Sequence, residues 1–130
     1  MSTIFTKIIK EEIPGYKILE DDTFCAFLDA FPVQRGHTLV VPKREVDYIF
    51  DLSDTELSEM IAFAKRVAQA IQKATGCRKV ALSVIGLEVP HAHIHLVPIN
   101  SEGDLDFKAE KLKVTPAEQQ EIQQAIKQYL

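Results

Sequence analysis

Between Ser53 and Thr75 apolar residues recur at helical spacing. Leu57, Ile61, Ala64, Ala68 and Ile71 form one stripe, and Met60, Phe63, Val67 and Ala70 form a second beside it. Such spacing predicts one long helix with two broad apolar faces. Ser53, followed three places later by Glu56, makes a capping box at its start, and Gly76 stops it. A helix covered on two faces suits a position between a sheet and a second surface, such as a partner subunit. Helical spacing returns near the ends of the chain. Ile4, Phe5, Ile8 and Ile9 share one face of a short segment over 3–10 that Pro14-Gly15 closes. Thr115, Pro116 and Glu118 cap a last helix carrying Ile122, Ala125, Ile126 and Tyr129 on one side.

Elsewhere the pattern is that of strands. "YKILE" and "FCAFLDA", separated by an acidic pair, read as a hairpin, and "GHTLVVP" at 36–42 as a third strand that Pro42 closes. "KVALSVI" and "HAHIHLVPI" read as two more, joined by a turn from Gly86 to Pro90. Residues 101–115 are polar, with scattered apolar anchors Leu105, Phe107 and Leu112, and are expected to run over the surface. Short connections between these strands predict an α+β fold with a mainly antiparallel five-stranded sheet, one long helix and a C-terminal helix. No linker or internal repeat divides the chain, so 1–130 is read as a single domain.

Composition narrows the choice of partner. With 130 residues, 46% of them hydrophobic and 26% charged, the chain can bury an ordinary core. A net charge of −4 without any lysine-rich or arginine-rich run lacks the footprint of a nucleic-acid polymer binder, though a small phosphorylated ligand needs only a local set of donors. Lysines and glutamates interrupt the first residues, so neither a signal peptide nor a membrane span is expected, and the cytoplasm is the expected compartment. Cys25 and Cys77 lie far apart and are expected as reduced core thiols.

The chemistry is concentrated in "PHAHIHLVP", which holds three of the four histidines at every second position. On a strand, His91, His93 and His95 share one face and Ala92, Ile94 and Leu96 the other. The apolar set faces the core and the imidazoles face a cleft or solvent. One reading is a metal site. Against it, the backbones of the outer pair sit roughly 13 Å apart, too splayed to close on one ion, and only Glu88 lies nearby as a further ligand. The other reading is a phosphoryl site, with some rings donating N–H bonds to phosphate oxygens while one neutral ring attacks phosphorus. Spacing alone does not select which ring attacks.

"HAHIHLVP" resembles the His-φ-His-φ-His-φ-φ signature of the histidine triad family, φ being apolar. "GHTLVVPK" at 36–43 is similar to that family's second hallmark, and the segment from Thr3 to Ala30 to its usual opening. The likeness covers about residues 3–98, leaving 101–130 as a tail and helix, and is greatest to the nucleoside phosphoramidase and dinucleoside polyphosphate hydrolase branch. It implies a homodimeric nucleotide hydrolase or transferase without a cofactor. His93 would be the nucleophile that forms a nucleotidyl-histidine. His95 and His37 would contact the phosphate, and His91 would belong to the hydrogen bonds orienting the middle ring. Phe5, Ile8 and Phe27 would line the base pocket and Asp29 would bond the ribose, although each apolar member serves equally well as plain core.

Two departures bear on these expectations. Where some members hold structural zinc with two cysteines, a histidine and the first triad histidine, this chain has Thr3, Thr6 and Glu45, so no metal is expected. Where related enzymes have Gly-Gln-Ser or Gly-Gln-Thr before the triad, it has Gly86-Leu87-Glu88. Leu87 cannot donate a side-chain hydrogen bond. Glu88 would repel phosphate or, if burial raised its pKa, act as general acid to the leaving group. The alternatives are a metal-dependent hydrolase using the histidine row as ligands, and a nucleotide-binding or interaction protein that has lost turnover.

Overall fold

In the computed structural model, which describes residues 2–130, helix α1 (Ile4–Ile9) is followed by β1 (Lys17–Glu20), β2 (Phe24–Leu28) and β3 (Thr38–Pro42). Helix α2 (Asp54–Thr75), β4 (Lys79–Ser83), β5 (Ile94–Ile99) and α3 (Pro116–Lys127) complete the order, with short 3₁₀ turns at Ile49–Asp51 and Glu102–Asp104. The strands form one sheet in the order β1-β2-β3-β5-β4, and every neighbouring pair is antiparallel. The α+β architecture predicted from the sequence is therefore the observed one. Among the described residues no helix is long and apolar enough to cross a membrane.

The register sorts side chains onto two faces. Ala26, Val40 and Ile94 lie across from one another on β2, β3 and β5, and so do Phe27, Leu39 and His95. Because successive residues alternate, the first row faces the two long helices and the second faces the opposite side. On the helix side Met60, Val67 and Ile71 of α2 and Ile122 and Ile126 of α3 close over Phe24, Ala26, Val40, Ile94 and Leu96. Each such side chain contributes roughly 1.5–3 kcal/mol through removal from water. On the other side Phe5 of α1 joins Cys25, Phe27, Leu39 and Val41 in a smaller cluster.

The second stripe of α2 is buried throughout, together with Ala64 and Ile71 of the first, whereas Ile61 of the first is 44% exposed. Ser53 and Glu56 make the full capping box, and Gly76 ends the helix in the left-handed region at φ 69°. In α1 the expected apolar face turns slightly: Phe5 is buried, Ile8 and Ile9 are half-buried, and Ile4 is exposed. Gly36, at φ 96°, lets the chain enter β3 against α2 and α3. A Cβ there would also stand 3.3 Å from Thr75 Cγ2. Both cysteines are free and buried.

The strand expected from His91 begins instead at Ile94, and that expected to reach Ile85 ends at Ser83. The His91 N–H donates to the Val89 carbonyl at 2.8 Å and the Ala92 N–H to the Val46 carbonyl at 2.6 Å. Those two amides are diverted to a turn and to the loop after β3, which takes this stretch out of the ladder.

Candidate active site

All four histidines are buried: His91 fully, His37 2% exposed, His93 7% and His95 8%. The expectation that the triad faces a cleft or solvent is thus corrected. α1 and the segment after β5 cover the face that alternation alone leaves open. A buried ring must use its nitrogens, and their partners fix where each proton sits.

The middle ring is oriented by main chain. His93 Nδ1 lies 2.7 Å from the His91 carbonyl oxygen. A carbonyl only accepts, so Nδ1 carries a proton, and the neutral tautomer selected is the one with its lone pair on Nε2. The Phe5 ring meets His93 edge-on with centroids 4.9 Å apart. In its neutral form His93 therefore presents an unprotonated Nε2, the tautomer a nucleophile requires.

At the β3 side the same reasoning runs through two rings. The Val33 N–H donates to His37 Nδ1 at 3.1 Å, so the His37 proton is on Nε2. That proton is donated to His95 Nδ1 at 3.0 Å, which leaves the His95 proton on its own Nε2. Burial, with the charges of neighbouring histidines and Lys111, pushes His37 down to about 3, and burial likewise pushes His95 down to about 4. Both rings are neutral donors near neutral pH. Asp29 Oδ2 stands 3.5 Å from His37 Nε2, yet with His37 uncharged this is no ion pair. Burial also raises the Asp29 carboxyl, against the pull of the Phe31 amide. Phe107 packs edge-on to His95 at 4.8 Å and to His37 at 6.0 Å.

Ligand atoms of Asp29, His37 and His95 gather within 4.8 Å of one another. They do not fit a metal: with Val33 holding Nδ1, the His37 nitrogen facing the group is protonated and has no lone pair to give.

His91 is spent at the other end. Its Nε2–H donates to the Pro42 carbonyl at 2.7 Å, so Nδ1 accepts the Thr3 hydroxyl at 2.6 Å. Glu45 in turn accepts the Thr3 amide at 2.7 Å and the Thr6 hydroxyl at 2.6 Å. The Thr6 hydroxyl and then the Thr3 amide hold the Glu45 carboxyl below its ordinary value. Two engaged nitrogens on His91 also remove the first member of the histidine row from any shared metal.

Comparison with known proteins matches residues 10–102 to the HIT domain. The chain belongs to the HIT family. It is 38% identical over 100 residues to an adenosine 5′-monophosphoramidase of Saccharomyces cerevisiae, a match covering 76% of this chain and 63% of the yeast protein. A crystal structure of a HIT-like protein involved in cell-cycle regulation from Bartonella henselae, with an unknown ligand, superposes at a TM-score of 0.85. It has 27% identity and covers 99% of this chain and 96% of that one. A zinc-bound histidine triad protein of Mycobacterium smegmatis gives 0.81 at 27% identity, covering 98% and 95%.

The positions that some HIT proteins use for zinc do come together here, since Thr3, Thr6, Glu45 and His91 form one network. Two hydroxyls, one carboxylate and an imidazole whose lone pair already takes a hydroxyl proton are a poor donor set for zinc. Hydrogen bonds tie α1 to the HIT signature instead. Phe5 and Phe27 face each other at 5.5 Å within the smaller cluster, with Ile8 half-buried beside them. Asp29 Oδ1 accepts the Phe31 amide at 2.8 Å, a turn-forming role that leaves Oδ2 toward His37. In the turn before the triad Gly86 is left-handed at φ 69°, Leu87 is 89% exposed and Glu88 is exposed. Glu88 therefore lacks the burial that the general-acid reading asked of it.

Sequence reading passed over the Val33 amide, which sets the His37 tautomer, and the position of Phe107. A main-chain donor leaves no mark in the sequence. The only trace of the second was an isolated aromatic in a polar stretch.

Proposed function

We propose that this HIT protein cleaves a nucleoside phosphoramidate or dinucleoside polyphosphate at the α-phosphorus through a nucleotidyl-histidine on His93. The observation that carries the reading is the His93 Nδ1 bond to the His91 carbonyl, which selects the neutral tautomer with its lone pair on Nε2. In the first half-reaction a bond forms from Nε2 to phosphorus as the bond to the leaving nitrogen or oxygen breaks. The His91 carbonyl steadies the positive charge that develops on the ring. The His95 Nε2–H, aligned through His37, donates to a phosphate oxygen. The leaving group departs after taking a proton from water. Water then attacks phosphorus, the bond to Nε2 breaks, and the nucleoside monophosphate leaves with His93 restored.

The yeast relative supports this substrate class. Phe5, Ile8 and Phe27 are proposed to receive the base and Asp29 the ribose, in a cytoplasmic homodimer. The edge strand β4 supports the dimer: Leu82 is 49% exposed, followed by Val84 at 37% and Ile85 at 46%, an apolar rim that a second sheet would cover. A second reading, binding without turnover, is favoured by the Leu87-Glu88 turn, which offers no uncharged side-chain donor to the leaving group.

The test is AMP release from adenosine 5′-phosphoramidate and from a dinucleoside polyphosphate, by wild type and His93→Ala, with and without EDTA. Turnover indifferent to EDTA and reduced at least about a thousandfold in the variant is expected. Loss with EDTA alone would favour a metal, and no turnover together with retained AMP affinity would favour the binding protein.

A further inference from the structure

The segment after β5 returns to the site as a strap. The Leu112 N–H donates to the Pro32 carbonyl at 2.9 Å, and Gln34 Nε2 donates to the Asp104 carbonyl at 3.2 Å. The strap is thus fastened at both ends to the loop that leads into β3. Between the fastenings Phe107 packs on His95 and His37. The ammonium of Lys111, half-buried, lies 5.7 Å from the Phe107 ring centroid and donates to the Phe107 carbonyl.

Among the described residues Lys111 enters no ion pair, whereas Lys17, Arg35, Lys43 and Arg44 each meet a carboxylate. The other lysines and arginines without an ion pair are exposed, so Lys111 stands apart as a half-buried cation held beside the buried rings by a carbonyl and an aromatic face. The site has use for it. An α-phosphate brings negative charge to rings that are neutral at His37 and His95, beside an Asp29 carboxyl and with Glu88 in the adjoining turn. Neutral N–H groups orient such a phosphate but do not balance its charge. Lys111 is close enough for its field to help push His37 and His95 down and to draw Asp29 back toward ionisation.

We propose that Lys111 is the anion contact of this site, its ammonium leaving the Phe107 carbonyl to meet a phosphate oxygen of a bound nucleotide at the His95 end. The inference rests on the nucleotide reading above and adds the group that tells a nucleotide from a nucleoside. Phe107 and the two fastenings then act to hold the cation within reach.

The experiment is calorimetric titration of AMP and of adenosine into wild type, Lys111→Met, Lys111→Arg and Lys108→Met, at low and high salt. Lys108 is an exposed lysine of the same strap and serves as the control. Lys111→Met is expected to weaken AMP about tenfold, leave adenosine unchanged and flatten the salt dependence, as loss of one charge-assisted bond implies. Lys111→Arg is expected to stay within about twofold of wild type, since the charge remains. Unchanged AMP affinity in Lys111→Met would overturn the proposal while leaving the nucleotide reading intact. An equal weakening of AMP and adenosine would overturn it too, because the strap would then be acting through packing. A wild type that binds no AMP would overturn the nucleotide reading and this inference with it.

Discussion

The two faces of the sheet are built from alternate residues of the same strands, yet they are held by different physics. Toward α2 and α3 the residues of β2, β3 and β5 meet mainly apolar side chains, and most stability there comes from volume and from water removed. On the opposite face four imidazoles replace much of that apolar surface. They are tolerated because both nitrogens of His37 and of His91, and Nδ1 of His93 and of His95, each meet a donor or acceptor of the right kind. The first face is most sensitive to volume lost, the second to a ring nitrogen left unpaired.

Three stability measurements would sharpen or break that contrast. The largest effect is expected on the helix face: Met60→Ala, at a side chain with no exposed surface, should cost about 2–5 kcal/mol in urea unfolding. Activity per folded molecule should not change, and a parallel loss of activity would show that the faces are coupled.

Next comes pH. His37 and His95 have folded-state pKa values of about 3 and about 4, below the ordinary 6.5. Below pH 6.5 the unfolded chain binds protons that the folded one refuses, so stability is complete above 6.5 and falls as pH drops toward 4. Denaturant unfolding between pH 7 and 4 should show a decline of a few kcal/mol, shallower in His95→Asn. An identical slope in that variant would mean that the imidazole pair is not the source.

The smallest change is expected from Thr3→Val, which nearly preserves shape but removes the hydroxyl donated to His91 Nδ1. The loss should be about 1–2 kcal/mol, from the His91 acceptor left unmet and from the α1 cap bond that the same oxygen accepts from the Thr6 amide. No measurable change would mean that water replaces the hydroxyl.

The contrast also explains what could be read from the chain beforehand. α2 was legible nearly to the residue because its boundaries are local chemistry, Ser53 with Glu56 at one end and Gly76 at the other. The core-facing position of Ile94 and Leu96 followed from their alternation with the histidines. The alternation of His91, His93 and His95 was equally visible, but the strand beneath it was not, since β5 starts at Ile94. What removes His91 and Ala92 from the ladder is a pair of main-chain bonds to Val89 and Val46, and nothing in either side chain announces them. The burial of the histidines depends on covers from distant parts of the chain, Phe5 on one side and Phe107 on the other. Thr3, Thr6 and Glu45 were noted only as failed zinc ligands, because a network of hydroxyls and a carboxylate has no spacing rule by which to find it.

The proton positions have one more consequence. Val33 N–H sets the tautomer of His37, the His91 carbonyl that of His93, and the Pro42 carbonyl that of His91. All three are main-chain groups, present whatever side chain stands at the position, save that a proline at 33 would abolish the first. Whatever packing demands of the side chains at 33 and 42, descendants of this sequence inherit the same arrangement of protons as long as the backbone keeps its course.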